Sequence, residues 1–349
     1  MRTIEVGNKK IGEGNPTYIV AEAGVNHNGD IELAKRHIRE AHLAGADAIK
    51  FQIYKAEKLV TQSAPIYWKV GNDEGKTQYE VFSKIHNFPI EFYRACIEYA
   101  NEIGITFFCT PFDLEAVDVM EKIGVKLYKV ASGDITYHQL LKKIAQTDKP
   151  IILSTGASTI GEIEEAVNII EKEGNNQIIL LHCTLAYPTP QKDINLNMIP
   201  ILARLFQQYP IGLSDHTFDP FTPALAVMLG AKIIEKHFTV DKNLEGSSDH
   251  KLGVDPFQMK QLVESVRLAE KSLGQELKRA DEAEHPALLM ARRSVVSAKN
   301  IKKGTKITKE MLTCKRPGTG IPPKFLEILI GRSPKKDILE DTTLTWEMF

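Results

Sequence analysis

The sequence predicts a (β/α)8 TIM barrel followed by a small β-rich domain. Three observations carry that prediction: short apolar, β-branched runs recur eight times, amphipathic segments separate them, and the alternation stops at Gly274. Buried strands alternating with helices imply parallel pairing, because each crossover between parallel strands needs a helix. Eight such units in roughly 240 residues fit a closed barrel better than an open doubly wound sheet, which rarely repeats so evenly.

The first run, TYIVAEAGVN (17–26), leads into DIELAKRHIREAHLAGA, whose apolar residues fall three or four apart. The second, ADAIKFQIY (46–54), is followed by a long segment, 55–89, that predicts an insertion at the active-site end. Beyond it come ITFFCTPF (105–112), KLYKVASGD (126–134), PIILSTGA (150–157), QIILLHCTLAY (177–187), PIGLSDHT (210–217) and AKIIEKHFT (231–239). A final helical pattern, FQMKQLVESVRLAEKSL, completes a barrel assigned to residues 1–274. Residues 275–289 read as a polar linker. Residues 290–349, with SVVSAKNIKKGTKITKEMLTCKRPG, read as short strands joined by Gly and Lys turns. So small a domain is expected to dock on the barrel or on a partner chain.

Composition narrows the function. Of 349 residues, 43% are hydrophobic and 26% charged, which supplies a large core. The net charge of −1 gives no global field for nucleic acid or an anionic membrane, so neither partner is expected. The opening MRTIEVGNKK lacks the apolar centre of a signal peptide, and no run approaches the ~18–20 apolar residues of a membrane span. Cys96, Cys109, Cys183 and Cys314 lack CxxC spacing and read as free thiols of a reducing, cytoplasmic protein.

Barrel enzymes take their catalytic groups from the C-terminal ends of the strands. Those ends supply Glu22, Lys50, Gln52, Thr110, Lys129, Ser132, Ser154, Gly156, Tyr187, His216 and His237. Two lysines, several hydroxyls and the amides of SGD and STG suit a phosphate, although the same motifs could simply cap the next helices. His216 and His237 close neighbouring strands. Two imidazoles without a cysteine suit a divalent ion that keeps open positions, the requirement for Lewis-acid activation of an aldehyde; packing is the alternative. Glu22 is an acid in an apolar run, costly unless it is used in proton transfer or paired with Lys50 or Lys129. Arg316, in CKRPGTG, stands on a rigid turn able to present a bidentate donor.

These residues resemble a known family. AEAGVNHNGD, GADAIKFQ, KVASGD, ILSTGAS, HCTLAYPTP, GLSDHT and LGAKIIEKHFT resemble, in order, the motifs of the sialic acid synthases. KRPGTG resembles the arginine motif of their C-terminal antifreeze-like (SAF) domain, so the likeness spans essentially the whole chain. It implies a metal-dependent transferase that condenses phosphoenolpyruvate with an N-acylated mannosamine-type sugar, giving a nine-carbon ulosonic acid and phosphate. It further implies a manganese-type ion on His216 and His237, with magnesium or cobalt as alternatives. Phosphoenolpyruvate would be held by Lys50, Thr110, Lys129, Ser132, Ser154 and Gly156. The sugar would be held by Gln52, Tyr187, Asp249 and the partner's Arg316, in a homodimer with exchanged small domains, and Glu22 would serve the acid/base step.

Two departures leave the sugar open. Leu185 and Ala186 stand where many N-acetylmannosamine-using members carry a polar residue, and NLEGSSDHKLGVDP departs from the common PGPDH pattern while keeping Asp249-His250. A 6-deoxy-2,4-diacetamido hexose, as in the legionaminic and pseudaminic branches, is the alternative substrate. Rival readings are a Schiff-base aldolase acting through Lys129 or Lys50, and a non-catalytic binding protein.

Overall fold

The chain begins with an antiparallel hairpin that the sequence reading did not anticipate, β1 (Ile4–Val6) and β2 (Lys9–Ile11). Eight parallel strands follow: β3 (Tyr18–Gly24), β4 (Ala48–Ile53), β5 (Thr106–Pro111), β6 (Tyr128–Val130), β7 (Ile151–Ser154), β8 (Ile178–Cys183), β9 (Ile211–Asp215) and β10 (Ile233–His237). Each falls within one of the eight apolar runs. The hydrogen-bonded order is β5-β4-β3-β10-β9-β8-β7-β6, so first and last strands pair, while β5 and β6 lie side by side and complete the ring. The computed structural model describes residues 3–70, 73, 75–275 and 277–349. It resolves into two compact units, Met1–Gly274 and Gln275–Phe349.

Alternation along the strands sorts the barrel side chains. Ile19, Ile49, Phe107, Leu153, Leu180 and Ile234 face outward into the layer beneath the helices. Their neighbours Val20, Ala48, Phe108, Ile152, Ile179 and Ile233 face inward and fill the lower barrel. Ile4, Val6 and Ile11 of the hairpin join this inner cluster and are all buried, so the hairpin seals the N-terminal end. Helices are set by local chemistry. Asp30 accepts the Glu32 and Leu33 amides to start Ile31–Leu43, and Gly104, at φ 83°, ends Ile90–Ile103 in the left-handed region where glycine carries no penalty.

Two further segments bear on the site. The insertion between β4 and β5 carries short helices at Ala56–Leu59 and Gln78–Phe82; residues 71, 72 and 74 of it lie outside the described residues. The Lys69 amide donates to the Tyr187 carbonyl at 2.9 Å, tying this insertion to the loop after β8. The C-terminal unit pairs β11 (Ser294–Ser297) with β12 (Leu312–Lys315) around Val295, Ile301, Ile307, Ile321 and Leu344. Part of the segment read as a linker is folded: a 3-10 turn at Glu282–Glu284 continues into a helix, His285–Met290. The Gly318 amide donates to Leu289 at 2.7 Å, holding that helix beside the Arg-Pro-Gly turn of the same unit. Among the described residues no helix is long and apolar enough to cross a membrane.

The hairpin seal gives a direct test. Ile11 is fully buried, and Ile11→Ala is expected to lower the unfolding free energy by about 2–5 kcal/mol, read from urea denaturation.

Candidate active site

Above the apolar floor the inward positions turn polar, because each strand's alternation continues past its last apolar residue. On β3 the sequence Tyr18, Val20, Glu22 changes character within one strand; on β10, Ile233, Glu235 and His237 do the same. Register pairs Glu22 with both Lys50 and His237, which brings three strand ends to one height. Lys50 Nζ lies 2.6 Å from Glu22 Oε2 and 3.8 Å from Glu235 Oε2, while Lys129 Nζ lies 3.1 Å from Glu235 Oε1. Lys50 also donates to Thr110 Oγ1 at 2.8 Å, and Ser214 Oγ donates to Glu235 at 3.0 Å. All four charged side chains are buried.

This enclosure sets their protonation. Burial pushes the Glu22 carboxyl up to about 7, against the pull of Lys50 and with a push from Glu235. Burial also opposes charge on Glu235, but Lys129 and Lys50 outweigh it and hold that carboxyl below its usual range. Burial lowers Lys129, whereas Glu22 and Glu235 keep Lys50 above the ordinary lysine value despite burial. Asp134, in the SGD turn, is raised by burial to about 7, and its Oδ2 has no hydrogen-bond partner. Ser154 Oγ is likewise buried without a partner.

The two histidines meet as a pair, with ring centroids 5.3 Å apart. Burial holds His216 down at about 4 and His237 well below its usual value, so both are neutral. Nδ1 of His216 is 3.0 Å from the Thr184 carbonyl; it donates there as the neutral tautomer, leaving the lone pair on Nε2. Nδ1 of His237 is buried without a hydrogen-bond partner, 3.6 Å from Asp249 Oδ2. Two neutral imidazoles, one steered by a carbonyl, fit a divalent ion. Among the described residues no group of three or more His, Cys, Asp or Glu side chains is arranged to hold a metal, so such an ion would fill its other positions with water or substrate oxygens.

The cavity above the floor has a volume of about 420 Å3. Of the residues singled out from sequence, Glu22, Lys50, Gln52, Thr110, Lys129 and Ser132 line it, as do Ser154, Tyr187, His216, His237 and Asp249. Tyr187 stacks on His216 with centroids 4.2 Å apart. Asp249 keeps 29% of its side-chain surface, yet the surrounding walls raise its carboxyl to about 6. Gly24, at φ +54°, follows a strand irregularity, and a Cβ there would sit within 3.4 Å of Gln52, Asp249 and Glu22 atoms; the bare backbone lets these groups converge.

Gly156 and Arg316 are not among the residues that line the cavity. The Gly156 amide is taken by Ser132 Oγ at 2.9 Å, and a Cβ at Gly156 would meet that oxygen at 2.8 Å, so Gly156 stands behind Ser132 and positions it. Arg316 belongs to the C-terminal unit, exposed on the turn after β12. Sequence reasoning missed Glu235, although its signal, an acid two residues before His237 at the end of an apolar run, is the one that flagged Glu22. The insertion's wall of Leu59, Val60, Val70 and Phe82 was anticipated only as a segment.

Comparison with known proteins agrees with this architecture. Residues 37–278 match the NeuB family and residues 292–349 the SAF domain. The chain is 46% identical to an uncharacterized protein of Methanocaldococcus jannaschii, over 99% of this chain and 98% of that one. It is 42% identical to the N,N'-diacetyllegionaminic acid synthase of Campylobacter jejuni, over 93% and 98% of the two chains. The crystal structure of a sialic acid synthetase from Leptospira borgpetersenii superposes with a TM-score of 0.74 at 37% identity, covering 82% of this chain and 95% of that one.

Glu235 is the shared counter-charge of two buried ammonium groups. Glu235→Gln is therefore expected to destabilise the barrel by about 3–5 kcal/mol, measured by urea unfolding, because it leaves Lys129 without its ionic partner. An unchanged midpoint would show that the lysines are neutralised some other way.

Proposed function

The chain belongs to the NeuB family and ends in a SAF domain, and from that premise we propose that it condenses phosphoenolpyruvate with an N-acylated six-carbon amino sugar, giving a nine-carbon ulosonic acid and phosphate. The observation that carries this reading is convergence in one cavity. Two buried lysines, the unpartnered Ser154 hydroxyl and a pair of neutral imidazoles all line it.

Lys50 and Lys129 neutralise the carboxylate and phosphate of phosphoenolpyruvate, and Thr110, Ser132 and Ser154 add hydroxyl donors. Gln52, Tyr187 and Asp249 orient the sugar so that its aldehyde carbon faces carbon 3 of the enol. His216 and His237 would hold a divalent ion, manganese in this reading, which supplies Lewis-acid polarisation of that aldehyde. Carbon 3 attacks the aldehyde carbon, and positive charge develops at carbon 2. Glu22, poised near neutrality, takes a proton from the water that adds at carbon 2 and passes it to the former aldehyde oxygen. The tetrahedral centre then breaks its carbon–oxygen bond to phosphate; the electron pair leaves with the phosphate oxygen, which takes the proton of the new carbon 2 hydroxyl as the ketone forms.

Apolar side chains favour a particular sugar. Leu185, Val70 and Phe82 face the cavity, where a sugar hydroxyl left unpaired costs about 1–3 kcal/mol. A 6-deoxy-2,4-diacetamido hexose places a methyl and a second acyl group where N-acetylmannosamine places hydroxyls. The Campylobacter relative, named for a diacetylated product, supports the same choice. In a panel of sugars with phosphoenolpyruvate and Mn2+, phosphate release is expected to be fastest with the diacetamido form; a preference for N-acetylmannosamine assigns the other branch.

Three outcomes test the chemistry. His216→Ala, His237→Ala and chelation should each abolish phosphate release while the chain stays folded by circular dichroism. Lys129→Ala should raise the phosphoenolpyruvate KM roughly 10- to 100-fold, because a charge-assisted bond contributes about 1.5–3 kcal/mol; borohydride trapping of pyruvate on Lys129 would replace this role with a Schiff base. Because the Glu22 base must be deprotonated, kcat/KM should rise with pH through about 7, and Glu22→Gln should lose that limb. We also place Arg316 in the sugar site of a homodimer. Mixing Arg316→Ala and Glu22→Ala chains should restore activity if the partner's Arg316 completes each barrel, and mixed dimers that stay inactive remove it from the site.

A further inference from the structure

A second buried ion pair lies on the outer face of the barrel and takes part in none of these steps. Lys236 and Asp215 are completely buried side chains on adjacent strands, paired in register, with Lys236 Nζ 2.7 Å from Asp215 Oδ2. Each directly precedes one of the paired histidines, Asp215 before His216 and Lys236 before His237. Lys236 also donates to the Thr217 carbonyl at 2.5 Å, to Thr217 Oγ1 at 3.1 Å and to the Asp219 carbonyl at 3.0 Å. Asp215 in turn accepts the Thr217 amide at 2.9 Å and its hydroxyl at 3.1 Å. One ammonium thus ties the end of β10 to the end of β9 and to the first turn of the loop beyond it.

Stability does not account for this arrangement. Burying both charges carries a desolvation cost of several kcal/mol per ion, and apolar residues of similar volume often do as well or better. What an apolar pair cannot do is fix the distance between two strand ends and the path of a loop by directed bonds. We propose that Asp215 and Lys236 are positioning residues that set the separation and orientation of the His216 and His237 rings, and so the ion affinity of the pair. The mechanical link is short. Alternation turns His216 and His237 inward from the residues that carry the crosslink, and the Thr217 and Asp219 carbonyls anchor the chain leaving His216. The proposal rests on the reading of the two histidines as the ion-binding pair.

The test is Mn2+ titrated into the full chain without substrate, followed by loss of the free-ion electron paramagnetic resonance signal. Lys236→Met alone strands the Asp215 carboxylate and risks misfolding, so the decisive variants are the double change Asp215→Leu with Lys236→Met and the milder Thr217→Val. The double variant is expected to keep a urea midpoint near wild type while its Mn2+ dissociation constant rises about 10- to 100-fold, the range for disturbing the shell that orients a metal ligand. Thr217→Val should weaken Mn2+ binding in the same direction but less. Metal-free phosphoenolpyruvate binding, measured by calorimetry, should stay at the wild-type value in both, which separates ring positioning from general damage to the barrel. Stable variants that bind Mn2+ as tightly as wild type overturn the positioning role. If wild type takes up no Mn2+, or His216→Ala leaves uptake unchanged, the ion reading itself falls, and that result is distinct from equal binding by wild type and variants.

Discussion

Two ammonium groups and two carboxylates share the upper interior of the barrel, where little water reaches any of them. Each would be expensive to bury alone, so the positions of Glu22, Lys50, Lys129 and Glu235 depend on one another, and four strands are bound to a common height by that mutual need. An anion entering this set competes with both glutamates for the same lysines. A rigid floor keeps the set together, because the charges cannot relax downward into Val20, Phe108 and Ile179.

Much of this was legible in the chain. Runs such as ADAIKFQIY announce a strand by β-branched and aromatic content and announce its upper end by polar residues at alternate positions. Glu22 stood out because an acid in an apolar run has few cheap explanations. Glu235 carried the same signal but sits in three consecutive polar residues, Glu235-Lys236-His237, where only the two-residue period separates inward from outward. That period is also what divides His237, facing the cavity, from Lys236, clamped behind it.

What sequence could not supply was pairing between distant segments. The hairpin strands IEV and KKI are three residues each, too short to show alternation, and their role emerges only where Ile11 meets the inner cluster. The STG motif reads as an anion site whose amides are free, yet the Gly156 amide is already bonded to Ser132, a contact set by the neighbouring turns after β6 and β7. The polar stretch after Gly274 has the composition of a linker, while a capping box at Asp281 and Glu284 starts helical structure within it. Composition reports average solvation; it does not report which turn a helix will lean on.

The N-terminal hairpin plugs the lower end of the barrel. Ile4, Val6 and Ile11 close the lower end, and Lys50 and Lys129 share one cavity with Tyr187, Asp249 and side chains of the β4–β5 insertion. In a cavity whose floor is sealed, two molecules held side by side would both have to enter from the upper end, so space alone would constrain the order of their arrival.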